Sequence, residues 1–255
     1  MTSVPASAGT RQQCQPPSSL VRFTAPLSRF PDVLLSGEPV RIVALGSSST
    51  EGIGASNPGA GYPVRLQAEL RRRLPGPTIT VDNLGISGQL ASDMLRRIKT
   101  QVLPRRPALV IWQTGVNDAV QQVNIEVFRH TVLQGIDKLQ KSGVDVVLLD
   151  MQYFPGAEKI PNFSRYLVAM RQIAKDQRVP LVQRYAIMRH LVSSAQYTPR
   201  QLLASDLFHP NDFTYDCLGK VLANALQDEV KRSRQARHLS ARVKQAGDVL
   251  NAPVH

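Results

Sequence analysis

The sequence predicts an α/β fold: a parallel sheet of about five strands with helices on both faces. Three observations point there. Short, nearly continuous apolar runs recur along the chain, as expected of strands buried on both faces. Between them lie longer segments with apolar residues at helical spacing. Small, polar, glycine-containing loops follow three successive runs, on what would be one edge of the sheet.

The elements follow in order. "RIVAL" (41–45) reads as the first strand. "GYPVRLQAELRRRL" reads as a helix, with Val64, Leu66, Leu70 and Leu74 set against charged neighbours. "PTITVDNLG" reads as strand, "SGQLASDMLRRIKTQVL" as helix and "PALVIWQTG" as strand. "NIEVFRHTVLQGIDKLQKSG" is a long helix stopped by Gly143. "VDVVLLDMQ" is a buried strand, "NFSRYLVAMRQIAKDQ" a helix and "VPLVQ" a short last strand. "NDFTYDCLGKVLANALQDEVKRS" closes the fold as a helix. Strict alternation of this kind implies right-handed crossovers between parallel strands. Residues 1–35, rich in Ser, Pro and Gln, are expected to form an extended, partly disordered arm. Residues 36–230 are expected to form the domain, and 231–255 a basic tail.

Composition narrows the function classes. The chain has 255 residues, of which 42% are hydrophobic, enough for a core. No stretch approaches the roughly 18 apolar residues that cross a bilayer. The first twenty residues lack the apolar segment of a secretory signal. The expectation is a periplasmic or secreted protein if a leader has been removed, and a cytoplasmic one otherwise. The net charge of +12 has two readings. One is solvated helix faces; the other is attraction to an anionic partner such as an acidic glycan, a membrane surface or nucleic acid. No aromatic-interleaved basic motif supports specific nucleic-acid binding. Cys14 and Cys217 are the only cysteines. They are either two reduced thiols or one bridge pinning the arm to the last helix. No metal-ligand cluster and no cofactor is implied, and oligomeric state is left open.

The loops after the strands carry the chemistry. They are Gly46-Ser47-Ser48-Ser49, Gly85-Ile86-Ser87-Gly88 and Gly115-Val116-Asn117-Asp118. Gly46 is not followed by the Gly-x-x-x-x-Gly-Lys-Ser/Thr pattern of a phosphate loop. Gly52-Ile53-Gly54 continues to Asn57, where a dinucleotide fingerprint needs glycine. A Gly-x-Ser-x-Gly nucleophile elbow is half met: Gly46 and Ser48 fit, but Thr50 replaces the second glycine. Of the five histidines, His130 and His190 fall in helical segments, and His238 and His255 in the basic end. His209 differs. In "SDLFHPND" Asp206 precedes it by three residues, so one loop can present a carboxylate to the imidazole it also carries. Short polar loops also produce that spacing by chance.

Together, "GSSST", "SGQ", "GVND" and "DLFHP" in this order resemble the SGNH hydrolases, the GDSL-type esterases, over about 40–227. The resemblance implies a flavodoxin-like three-layer α/β/α sandwich and a carboxylic ester hydrolase. It aligns Ser48 as nucleophile, His209 as general base and Asp206 as its partner. The backbone N–H groups of Ser48 and Gly88 and the Asn117 amide align as oxyanion donors; Gly115 and Asp118 complete the third block. One position departs. Ser47 stands where the family usually has aspartate, so the bonding that orients the loop must differ, and Ser47 and Ser49 remain rival hydroxyls. Gly88 is expected near the N-terminus of the following helix. Asp118, Asn117 and Asp212 could instead serve as helix caps. Tyr62, Trp112 and Tyr153 belong either to the cleft or to the core.

The expected function is hydrolysis of a small-acyl ester, such as acetyl on a carbohydrate, through an acyl-enzyme. The expected partner is a small-molecule or glycan ester, with an anionic carrier suggested by the charge. Alternatives are a carbohydrate O-acyltransferase with the same triad, a glycan-binding protein without turnover, and a basic nucleic-acid or membrane-surface binder.

Overall fold

The structure is a computed structural model; it describes residues 14–250, with side chains described to 240 and at 242. Strands β1 (Val40–Gly46), β2 (Ile79–Gly85), β3 (Leu109–Gln113), β4 (Asp145–Leu149) and β5 (Leu181–Val182) form one sheet. All pairs are parallel and the order is β2-β1-β3-β4-β5. The helices are α1 (Ser18–Val21), α2 (Arg29–Ser36), α3 (Ser48–Glu51), α4 (Tyr62–Arg73), α5 (Ala91–Arg97) and α6 (Val116–Val120). They continue with α7 (Ile125–Lys141), α8 (Phe163–Asp176), α9 (Arg184–Ser193), α10 (Pro199–Leu202) and α11 (Asp212–Leu250). α4 packs on α11, while α5 packs on α7 and α7 on α8. With right-handed crossovers, these two groups cover opposite faces of the sheet. The α/β class read from the sequence holds, with five strands.

Burial explains the apolar runs. Ile42, Val43, Ala44 and Leu45 of β1 are wholly inaccessible, as are all five residues of β3. Each such Ile or Leu stabilises the fold by about 1.5–3 kcal/mol relative to exposure. β2 is one of the two edge strands and is mostly half-buried. Trp112 and Tyr62 are both inaccessible, so both are core residues. The indole N–H of Trp112 donates to Met94 Sδ at 3.1 Å. Gly135 of α7 makes room for that ring: a Cβ there would lie 2.3 Å from it.

The ends of the chain depart from expectation. Residues 14–35 are not an extended arm. They carry α1 and most of α2, and they bury Phe23, Leu27, Phe30, Val33 and Leu34. Asp145, at the start of β4, caps α2 from a distance. Its carboxylate accepts from Phe30 N at 2.8 Å and from Ser28 N and Oγ at 3.3 Å. Cys14 and Cys217 are joined by a disulfide, with Cα atoms 5.3 Å apart, so the bridge reading is the one observed. Residues 1–13 lie outside the described residues. The segment from 231 is not a separate tail but a continuation of α11 to Leu250. Among the described residues no helix is long and apolar enough to cross a membrane.

Candidate active site

Strand register brings the loops together. Gly46 of β1 pairs with Gly85 of β2, and Leu45 of β1 pairs with Trp112 of β3. The "GSSST", "SGQ" and "GVND" segments therefore leave three adjacent strands at one sheet edge. β1 lies at the point where the strand order reverses, which is where open α/β sheets form a crevice.

The first loop turns sharply into α3. A Cβ on Gly46 would lie 2.1 Å from Thr50 Oγ1, and one on Gly85 would lie 2.0 Å from Glu51 N. Only glycine lets the turn fold down onto the strand ends. Ser47 does not hang free: its N–H and hydroxyl donate to Gln113 Oε1 at 2.9 and 3.2 Å. Thr50 Oγ1 donates to the same oxygen at 3.1 Å. Gln113, at the end of β3, thus anchors the loop where the GDSL pattern has aspartate. Ser49 accepts from Arg184 at 2.9 Å. Glu51 takes Ser87 N at 2.7 Å and also binds the Ser87 hydroxyl, tying the second loop to α3.

Of the three serines, Ser48 alone meets a histidine. Ser48 Oγ lies 2.9 Å from His209 Nε2, and His209 Nδ1 lies 2.6 Å from Asp206 Oδ2. Asp206 Oδ1 accepts the backbone N–H groups of Phe208 and His209, each at 2.9 Å. Burial would raise the Asp206 pKa, but the bond to His209 and these two N–H donors hold it below the ordinary value. Leu207, with φ 53°, bends the chain so that one carboxylate can make all three contacts. The histidine loop reaches Ser48 because Gly54 leaves space: a Cβ there would lie 2.5 Å from Pro210 O and 2.9 Å from His209 Cβ.

The amide donors are less uniformly placed. Neither Ser48 N–H nor Gly88 N–H has an intramolecular acceptor among the described residues. Gly88 has φ +77° and lies in the turn two residues before Leu90, the N-cap of α5. The first helical N–H, of Ala91, goes instead to both oxygens of Asp118 at 3.2 Å. Burial pushes the Asp118 pKa up to about 6 against those donors. Asn117 Nδ2 donates to Gln89 O at 2.9 Å, which leaves its second amide hydrogen to point elsewhere. Gly115 has φ +104° and opens α6, so Asn117 and Asp118 sit inside that short helix and do not cap it. Asp212 is likewise no cap for its own helix. Asn211 Oδ1 takes Thr214 N at 3.1 Å, while Asp212 accepts from Ser56 N at 2.7 Å and Ser56 Oγ at 2.5 Å.

Residues 13–232 match the sequence profile of the Non-GDSL lipase-like family. The chain belongs to this family. The family's name accords with Ser47 standing in the GDSL aspartate's place. A two-domain esterase active on acetylated mannans is similar to this lipase-like chain, with TM-score 0.69 and 21% identity, over 84% of this chain and 56% of that one. An acetyl xylan esterase gives TM-score 0.62 and 22% identity, over 73% of this chain and 99% of that one. The lipoprotein YqeF of Bacillus subtilis is 25% identical over 202 residues, 67% of this chain and 80% of that protein. The RecB subunit of the RecBCD enzyme of Mycobacterium tuberculosis is 26% identical over 175 residues, spanning only 15% of that protein. The similar solved structures are esterases and lipases with the SGNH α/β fold.

Behind the lipase-like loops lies a polar layer not anticipated from the sequence. Arg184 is buried at the start of α9, 2% exposed. It donates to Asp150 O, Ser49 Oγ and Gln152 Oε1 at 3.0, 2.9 and 3.0 Å. The buried Asp150 carboxyl accepts from Tyr185 N at 3.0 Å, and burial pushes its pKa up to about 7. Polar residues ending two buried strands, Gln113 and the Asp150/Gln152 pair, were the available signal. Tyr153 is half-buried and lines a surface cavity next to this layer. Among the described residues no cluster of three or more His, Cys, Asp or Glu could hold a metal ion.

Proposed function

We propose that the protein is a serine esterase removing a small acyl group, acetyl above all, from a carbohydrate. The observation that carries this is the unbroken run of contacts from Ser48 Oγ through the His209 ring to Asp206, at 2.9 and 2.6 Å. In this reading Ser48 Oγ attacks the ester carbonyl as His209 Nε2 takes its proton. Asp206 holds the Nδ1–H tautomer and stabilises the imidazolium as it forms. His209 then returns the proton to the leaving sugar oxygen, and water hydrolyses the acyl-serine by the same steps reversed.

The oxyanion is assigned to the unpaired N–H groups of Ser48 and Gly88 and to the free amide hydrogen of Asn117. Each such donor is worth about 2.7–4 kcal/mol in the transition state. The acetyl-carbohydrate substrate is supported by the likeness to esterases active on acetylated mannan and xylan. Hydrolysis of p-nitrophenyl acetate and of acetylated mannan and xylan tests the proposal. Wild type should turn over these esters and Ser48→Ala should not. Equal rates in the two proteins would refute the assignment. Acetyl transfer to an added sugar without release of acetate would favour the transferase instead.

A further inference from the structure

The sheet edge that carries Ser48 continues past β4 and β5 into a second cavity. It encloses about 690 Å³, within the roughly 300–1,000 Å³ of small-ligand sites. Its walls come from the segment after β4, from α8 as far as Arg171 and from α9 as far as Arg189. Tyr153 and Tyr185, both half-buried, meet edge to face with ring centres 5.7 Å apart. Phe163 lies 5.8 Å from Tyr185 and closes the floor. At the rim stand Arg171, Arg189 and Glu158, all exposed. Neither guanidinium makes a hydrogen bond or an ion pair among the described residues, although elsewhere in the molecule arginines pair repeatedly with carboxylates. The charged lining is therefore cationic on balance.

We propose that this cavity binds an acidic saccharide, a sugar ring bearing a carboxylate. Tyrosines present an apolar face and a polar tip, which suits the mixed surface of a sugar ring. Two unpaired guanidiniums suit a carboxylate, which they meet in planar, two-point geometry. Glu158 supplies an acceptor for ring hydroxyls. A row of packed rings also joins the cavity wall to the triad. Phe163 packs on Phe154 at 5.7 Å, Phe154 on Phe208 at 4.6 Å, and Phe208 on the His209 ring at 4.9 Å. Phe154 and Phe163 are buried, so these rings fix the cavity wall against the histidine loop rather than offer a surface. An oligosaccharide anchored by one residue in the cavity would run over them toward the sheet edge and offer a neighbouring ester to Ser48. That use rests on the esterase reading; the binding itself does not.

The test uses the Ser48→Ala protein, so that binding is read without turnover. It is titrated calorimetrically at low salt with a glucuronate tetramer and with the neutral glucose tetramer of the same linkage. The expected result is binding of the acidic tetramer at least about ten-fold tighter. Adding Arg171→Gln and Arg189→Gln should erase that preference, and adding Tyr153→Ala should weaken both tetramers. Thermal melts of the variants check that they fold. Equal affinity for the two tetramers, no binding of either, or a preference that survives the arginine changes would overturn the proposal. So would inorganic phosphate competing as well as the tetramer, since the site would then recognise charge alone. Wild-type hydrolysis of p-nitrophenyl acetate is measured separately. Its absence, with binding intact, would sink the esterase reading and leave the cavity assignment standing.

Discussion

Gly54 lies directly against His209: a Cβ on the glycine would sit 2.9 Å from His209 Cβ and 2.5 Å from Pro210 O. The φ of +90° at Gly54 adds a second constraint, because side-chain-bearing residues avoid that region. Gly54→Ala should therefore push the histidine loop away from Ser48. A displacement near 1 Å costs on the order of 100-fold in turnover. Steady-state kcat on p-nitrophenyl acetate checks this; a rate within a factor of two of wild type would mean the loop tolerates the shift.

Gln113 gathers three donors onto one buried oxygen: Ser47 N, Ser47 Oγ and Thr50 Oγ1. Gln113→Leu keeps the volume but removes the acceptor. Each buried donor left without a partner costs about 1–3 kcal/mol. The variant should melt several degrees lower, and its kcat should fall as the nucleophile loop loosens. Gln113→Glu keeps an acceptor for the three donors and should retain more activity than Gln113→Leu.

Asp150 makes stability depend on pH. Its pKa rises from 3.8 to about 7 on folding because burial disfavours the charge. Asp118 moves the same way, to about 6. Between roughly pH 4 and 7 the folded chain holds protons that the unfolded chain has released, so these groups make stability fall as pH rises. A tenfold difference in proton affinity between the folded and unfolded chain corresponds to about 1.4 kcal/mol. Asp206 and Asp212 have depressed values, so their stabilisation is present above the ordinary carboxylate range and is lost only in more acid solution. Asp150→Asn should thus gain on wild type between pH 5 and pH 8.5. Denaturant midpoints at the two pH values measure it, and a constant difference would refute the burial account.

The Cys14–Cys217 bridge closes a loop of 203 residues. Loss of a native bridge costs about 2–5 kcal/mol in small domains. Cys14→Ser should lower the melting temperature under oxidising conditions. Dithiothreitol should lower wild type to the variant's value and leave the variant unchanged.

The fold was legible because its signals are local. Apolar runs such as "RIVAL" and helical spacings such as that of 124–143 need no tertiary knowledge to be read. Ser48 could be singled out because its block follows a strand end, where an open α/β sheet keeps its ligands, and Asp206 and His209 because a three-residue spacing puts a carboxylate beside an imidazole on one loop. The supporting layer was not legible for the opposite reason. Gln113, Arg184 and Asp150 matter through contacts between distant segments, and Arg184 in sequence is one more cation in a basic chain. The N-terminal segment misled in the same way. Pro26 and Pro31 hid the spacing of Phe30, Val33 and Leu34, and the cap on α2 comes from Asp145, far along the chain. Pro31 is tolerated because it falls in the first turn, where no intrahelical donor is needed.

Only Pro210 and Asn211 separate His209 from the first turn of α11, and that turn is fastened to Ser56 through Asp212. The loop that carries the imidazole is therefore tethered on its C-terminal side to a packed helix, and a wide excursion of the loop would have to carry that helix with it. The turn at 86–90 is fastened as well, through Ser87 to Glu51 and Gln89 to Asn117, so room for a bulky ester and an exit for the spent alcohol fall to the segment at 153–162, whose backbone bonds are local.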